Sequence, residues 1–516
     1  MAAERPIDVA AAGRLAAATE LIERGAPFQA IRLLRDVDST ATVGLRLCLA
    51  SAYVELGRDT EAVPILASLL ADRERLGPDR AMVLATAAHL RSALGHPGWQ
   101  ELAAEAIEAG GRAGAPATLA HLAMSRGYLF AGDVRRGLWW AHRASLAAAS
   151  AGPRVLTKTR IHEAYLLMQN DRFDDAERVA SSTAAVAGGE NPRLAALRRY
   201  VLGAIRFHAG QWSGAERFLD PRPDVDAGVE IGDQEWATGA GLLTVLLVHA
   251  DRVGEAAELV TAGAHVLATG HRPMLLWGGL LLADARGDLG LTELMADRLI
   301  ASLEGLRSPG RLRLTGPDLV RILLQLGDRP RAEAVTTAME GMASATIPSN
   351  VAVARLCRGI LDRDRNALRE AAGRFEAAGR PLEEAIALEN LAVLAASAGS
   401  GEAVADGRAA LALYAGMGAR RDERRLAATL RRFGIASGAR GRRSPEVVGW
   451  RSLSPTEERV ARLVGEGLTN SEIADRLQIS NRTVETHVSH ILNKLAVRGR
   501  ASIAASAARE LSASDH

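Results

Sequence analysis

Cysteine occurs twice in 516 residues, at Cys48 and Cys357. Two thiols so far apart in sequence make neither a metal cluster nor a CxxC redox pair, and they read as small buried hydrophobes of a reducing compartment. Lysine is equally scarce, at Lys158 and Lys494 alone, while arginine carries nearly all the positive charge. Neither lysine follows the Gly-x-x-x-x-Gly frame that cradles a nucleotide's phosphates, so the sequence holds no P-loop. Apolar runs stop at residues 239–250 and 273–283, short of the roughly 18 residues a membrane span needs. The N-terminus lacks the basic-then-apolar order of a secretory signal. A cytoplasmic protein with no membrane partner is expected. No Val/Ile-rich alternating run appears, which argues against a sheet. His162-Glu163 has no second histidine four positions on, no Gly-x-Ser-x-Gly elbow is present, and Gly239-Ala-Gly241 lacks the third glycine of a dinucleotide loop. No catalytic residue, metal ligand or cofactor site is expected, and the chain does not read as an enzyme.

Alanine and leucine recur at spacings of three and four from about residue 11 to 430, with Arg and Glu between them. This is the pattern of helix after helix. One motif recurs: an apolar helix, then Gly or Asp, and five positions later a small residue in a second helix. It is seen as Gly57 with Ala62, Gly132 with Gly137, Asp171 with Ala176, Gly210 with Ala215, Asp251 with Ala256, and Gly327 with Ala332. Interpolation adds anchors at residues 102 and 295, so the steps are about 35–41, a solenoid period. A small side chain lets two antiparallel helices approach, and a hairpin that cannot bury its apolar face alone must stack on its neighbours. In these features the region resembles a divergent tetratricopeptide repeat array, with a longer period and without most of that family's Trp and Pro positions. Tyr128 and the pair Trp139-Trp140 read as packing between repeats.

From residue 418 to 448 nine arginines face three acids, and the stretch ends in Ser437-Gly-Ala-Arg-Gly-Arg-Arg-Ser-Pro445. Such a run reads most simply as a solvated linker, and next to the segment that follows it could also touch DNA phosphates. Beyond it, Ser454-Pro-Thr-Glu457 and Thr469-Asn-Ser-Glu472 are capping boxes that open two short helices, and Ser480 can cap a third over residues 481–495. Short helix, tight turn and longer helix is the helix-turn-helix arrangement. In the third helix Val484, Val488, Ile491 and Leu495 form one apolar stripe, while Arg482, Glu485, Thr486 and Ser489 fall on the other side. A polar outer face of this kind suits a reader of base edges in the major groove.

The strings Leu453-Ser-Pro-Thr-Glu457, Val464-Gly-Glu-Gly-Leu-Thr-Asn-Ser-Glu-Ile-Ala474, Ile479-Ser-Asn-Arg-Thr-Val-Glu-Thr-His487 and Lys494-Leu-Ala-Val-Arg-Gly-Arg500 together resemble the LuxR-type DNA-binding domain. The resemblance implies that Glu485, Thr486 and Ser489 read bases, and that Ser480, Thr483 and Lys494 hold the phosphate backbone. It places Thr469 and Asn470 at the start of the preceding helix near that backbone, and residues 502–509 in a dimer-forming helix. Glu485 and Gly499 depart from the family's usual residues. Glu485 weakens attraction to DNA but can accept a hydrogen bond from a cytosine amino group. His487 reads as a packing or backbone-facing residue.

The expected architecture is therefore all-α. A TPR-like α-solenoid of antiparallel helix pairs occupies residues 1–435, a basic flexible linker 436–448, and a small four-helix LuxR-type helix-turn-helix domain 449–516. The layout resembles the large LuxR-type ATP-binding regulators without their nucleotide-hydrolysing part. The expected function is a transcriptional regulator that binds double-stranded promoter DNA as a homodimer, through Thr469, Asn470, Ser480, Arg482, Thr483, Glu485, Thr486, Ser489 and Lys494. A protein, peptide or small ligand on the repeats would control it. The alternative is a TPR-like interaction scaffold for which DNA is only a tether. With a net charge of +2, phosphate affinity must come from local cations.

Overall fold

A computed structural model describes residues 9–183, 191–268, 272–306, 309–342, 347–435, 450, 453, 455–477, 481, 484–485, 488, 491–492, 495, 497 and 499–514. The described elements are helical and include no strand. The chain divides into two compact units, Met1–Ser437 and Gly438–His516. No described helix is long and apolar enough to cross a membrane.

The first unit repeats one local device. A helix ends on a residue with positive φ, whose N–H and the next N–H turn back to the helix's last carbonyls, and a second helix starts two residues on. At Gly210 (φ +75°) the bonds run from its own N–H to Phe207 C=O (3.1 Å) and from Gln211 N–H to Arg206 C=O (2.8 Å). Gly57, Gly132, Gly287 and Gly327 repeat the pattern. Glycine suits these places because the left-handed region costs it nothing. Asp171 (φ +61°), Asp251 (+68°) and Arg363 (+56°) adopt the same conformation with a side chain. Five residues after these turns Ala62, Ala176, Ala215, Ala256 and Ala332 are fully buried. A Cβ on Gly137 would meet the Ser125 carbonyl oxygen at 3.1 Å.

Successive pairs such as Pro153–Gln169 with Phe173–Ser182, Pro192–His208 with Trp212–Leu219, and Asp233–His249 with Val253–Ala262 stack into an α-solenoid. Its largest core runs from Ala164 to Leu430. Two anchor positions differ from expectation. The turn at Gly287 places Thr292, 3% exposed, where interpolation gave 295, because hairpin lengths vary. Residue 102 is an anchor, but it is a leucine following a turn at Gly98. Turns at Arg363 and Gly399 add further hairpins, whose second helices bury Leu368 and Ala403. Tyr128 packs edge-on against Trp99 at 5.3 Å, but Trp139 is 54% exposed with the Arg143 guanidinium over its ring.

Polar seams join hairpins far apart in sequence. Asp171 receives Arg380 Nε at 2.7 Å, and Arg313 Nη2 donates to Gln169 Oε1 at 2.7 Å. Arg380 and Arg313 are 1% and 3% exposed. Farther along, Asp422 bonds His249 Nδ1 and Arg425 Nη1, each at 2.6 Å. Burial by itself raises the Asp422 carboxyl pKa, but His249 and Arg425 outweigh it and hold the group well below the usual carboxylate range. Glu55 is held low in the same way by Lys158, Arg154 and Arg193.

A carboxylate whose folded pKa is depressed contributes stability above its unfolded value of about 4, and that contribution is lost as pH falls through the folded value. Far-UV circular dichroism of thermal unfolding is therefore expected to show a falling midpoint between about pH 4 and pH 2. Asp422→Asn, which has no proton to gain there, should start lower at pH 7 and fall less steeply.

Candidate nucleic-acid interface

Proline at the first helical position opens the helix Pro455–Gly465; Ser454, its expected cap, lies outside the described residues. Glycine ends it: Gly467 has φ +88°, and Leu468 N–H returns to Leu463 C=O. Thr469 and Glu472 form the capping box that opens Asn470–Leu477. The Thr469 N–H and hydroxyl each donate to Glu472 Oε2 at 2.7 Å, and Glu472 N–H donates to the Thr469 hydroxyl at 3.3 Å. These bonds to its charged form hold the Glu472 pKa low. Every described residue from 481 to 492 is helical.

The core of this unit fixes which side of that segment faces inward. Val484 and Ile491 are fully buried and Leu495 is 7% exposed, against Val460, Val464, Ile473 and Ile503. Val488 is half-buried against the same cluster. Glu485, one position on from Val484, is exposed. The described apolar positions are thus spent on the core, and the described polar ones, Asn481 and Glu485, are exposed.

The last helix is longer than the spacing suggests, Arg500–Ser514. Gly499, φ +96°, stands just before it, and Ser502 N–H bonds its carbonyl at 3.1 Å. A glycine here adopts a turn that a side chain would strain. Gly465 lets this helix sit close: a Cβ there would lie 2.8 Å from the Ala507 Cβ. Arg500 is a positioning residue that the motif reading missed. Its guanidinium donates to Asn470 Oδ1 at 2.6 Å and to the Leu468 carbonyl, tying the last helix to the start of the second. Thirty residues separate Arg500 from Asn470, and no local pattern signals such a bond.

Of the residues expected at DNA, Thr469, Asn470 and Glu485 are described, and the first two serve the fold through these bonds. Ser480, Arg482, Thr483, Thr486, Ser489 and Lys494 lie outside the described residues, as do His487 and the linker 436–448.

Residues 451–507 match the luxR family of bacterial regulatory proteins. The C-terminal unit carries a luxR-family domain. A putative HTH-type transcriptional regulator of Mycobacterium tuberculosis is 49% identical over 74 residues, which are 14% of this chain and 8% of that protein. The nitrate/nitrite response regulator NarL of Escherichia coli is 35% identical over 66 residues, 13% of this chain and 31% of that one. The chain thus spans less than a tenth of the mycobacterial relative and under a third of NarL. The crystal structure of yeast Tom70 aligns with 82% of this chain and 97% of its own, at 11% identity and a TM-score of 0.30. The luxR-family match therefore bears on the C-terminal unit, and the solenoid is described from its own hairpins. Among the described residues, no group of three or more His, Cys, Asp or Glu is placed to hold a metal ion.

Proposed function

We propose that the chain is a transcription regulator that reads double-stranded promoter DNA as a homodimer, with the repeat array receiving the controlling protein, peptide or small ligand. One observation carries this reading. Val484, Ile491 and Leu495 are consumed by the core while Glu485 beside them is exposed, which supports a polar reading side on this segment.

By the resemblance to the LuxR-type domain, Thr486 and Ser489 would offer hydroxyls to base edges, and the exposed Glu485 can accept from a cytosine amino group. Ser480, Arg482, Thr483 and Lys494 hold phosphates and set the register. Asn470 offers its side-chain amide N–H at the start of the second helix, while Thr469, whose N–H and hydroxyl both serve Glu472, fixes where that helix begins beside the phosphates. Pairing through Arg500–Ser514 would set two readers about 34 Å apart, one turn of DNA.

The test is fluorescence anisotropy on a selected site across a salt series. Lys494→Ala should weaken binding on every sequence and reduce the slope of log K against log salt by about one. Thr486→Ala and Ser489→Ala should each change the preferred base, by about 1–3 kcal/mol of discrimination. Equal losses on all sequences from all three variants would remove the assignment of readers.

A further inference from the structure

Within the first unit a string of cavities links the early hairpins to the middle ones. The outermost has a volume of about 380 Å³, with apolar walls that include Leu47, Val54, Met82, Leu119 and Leu122. It shares Glu55, His89 and Lys158 with a second chamber of about 90 Å³, which Arg126, His162, Arg193 and Glu235 help to enclose. Arg126, His162 and Glu235 also border a third, of about 230 Å³. A space with mostly apolar walls and a few converging polar groups is the usual form of a small-molecule site.

The charges of the middle chamber do not cancel. Glu55 Oε1 takes Lys158 Nζ at 2.5 Å and Arg154 Nη2 at 3.2 Å, and Glu235 Oε1 takes Arg193 Nη2 at 3.0 Å. Arg126 has no hydrogen bond or ion pair with any described residue. Burial disfavours its charge, and Asp59 and Glu235 support it only through space. His89, 6% exposed, is equally unengaged: its Nδ1 is enclosed without a partner. Burial, with Arg126 and Lys158 nearby, keeps both chamber histidines neutral, pushing His162 down to about 3 and His89 well below its ordinary value. A neutral imidazole can still donate one N–H. The chamber thus holds three cations, two carboxylates, unused donors and one unpartnered carboxylate oxygen, Glu235 Oε2, beside an apolar space. A partly buried guanidinium facing a cavity without a paired acid is desolvated at a cost, and a carboxylate or phosphate is the group its planar fork binds.

We propose that these cavities bind a small organic anion with an apolar body, its carboxylate or phosphate on Arg126 and its hydrocarbon in the outer chamber. This rests on the reading of the array as receiver and names the chemistry of what it receives. An anion there supplies the charge that Arg126 lacks, and the hydrocarbon leaves water for the Leu47 and Leu122 walls.

The experiment is titration calorimetry on the full-length protein with octanoate, 4-phenylbutyrate and octyl phosphate, against octanol and 4-phenylbutanol. At least one anion should bind with a submillimolar Kd, and its alcohol at least about tenfold more weakly. Arg126→Gln should weaken the anion by about 10- to 100-fold while its far-UV circular dichroism stays that of the wild type. Ser51→Phe, which fills the outer chamber from its wall, should abolish binding. If the Gln variant does not fold, the wild-type comparison of anion with alcohol and Ser51→Phe decide the matter. Binding by none of the three anions, equal binding of the alcohols, or an Arg126→Gln protein of unchanged affinity overturns the proposal. Selection of DNA sites without any ligand is scored separately, so intact selection with no anion binding removes this site and leaves the regulator.

Discussion

Asp171→Gly is expected to destabilise the repeat array by about 3–5 kcal/mol, the penalty for removing one partner of a buried ion pair. Asp171 has two roles. It turns the chain at φ +61°, and its carboxylate takes Arg380 Nε at 2.7 Å and Ser349 N–H at 3.3 Å, with Arg313 at 4.0 Å. Glycine keeps the turn and relieves up to about 1 kcal/mol of backbone strain, so the loss isolates the carboxylate. Arg380 is then left with Glu383 Oε1, at 3.4 Å, as its remaining acid, and the enclosed Arg313 loses the nearer of its acids. Burial raises the Asp171 pKa, yet Arg380 and Arg313 bring it below its ordinary value, so the pair holds its charge in the folded state. Asp251 provides the control. It has the same backbone conformation, φ +68°, but its partner Arg424 is 62% exposed. Exposed pairs contribute about 0–1 kcal/mol, so Asp251→Gly should be neutral or mildly stabilising. Urea denaturation followed by circular dichroism compares the two. Equal effects would mean that the seam around Arg380 holds nothing together.

Ile491→Asp is expected to abolish sequence-specific DNA binding, a fall of about a thousandfold or more to the non-specific level. Ile491 is fully buried among Val460, Ile473, Val484 and Ile503. An aspartate there would be an unpaired charge in an apolar site, costing several kcal/mol. A unit of this size has only about 0.05–0.15 kcal/mol per residue of stability, so it unfolds. Glu485→Gln, on the exposed side of the same segment, should keep the fold and alter base preference alone. The isolated unit gives the readout, as amide signal dispersion by NMR and anisotropy on DNA. A folded Ile491→Asp domain that still binds would contradict the inward placement of this stripe.

The sequence exposed the parts of the fold that are written locally. Glycine or aspartate at a helix end, with alanine five positions on, marks a hairpin wherever the turn residue is distinctive, as at Gly57, Asp171 and Gly210. Arg363 makes the same turn with a side chain that carries no such signal, and its hairpin escaped notice. Pairings across the solenoid escaped for a different reason. Asp171 meets Arg380 across 209 residues, a pairing between distant hairpins that no local period encodes. The capping box at Thr469 and the stripe from Val484 to Leu495 were legible because helix periodicity and caps are short-range. The Arg500 bond to Asn470 and the lone charge of Arg126 were not, since both depend on which helices the fold brings together.

The most direct test of the central claim is selection from a random pool of double-stranded DNA by the full-length protein at near-physiological salt, with the bound fraction sequenced. The expected result is a short motif in two halves related by two-fold symmetry and centred about one helical turn apart, with Glu485→Gln changing the bases selected. Retention of DNA with no enriched sequence, by both the full-length protein and the Gly438–His516 unit, would contradict it.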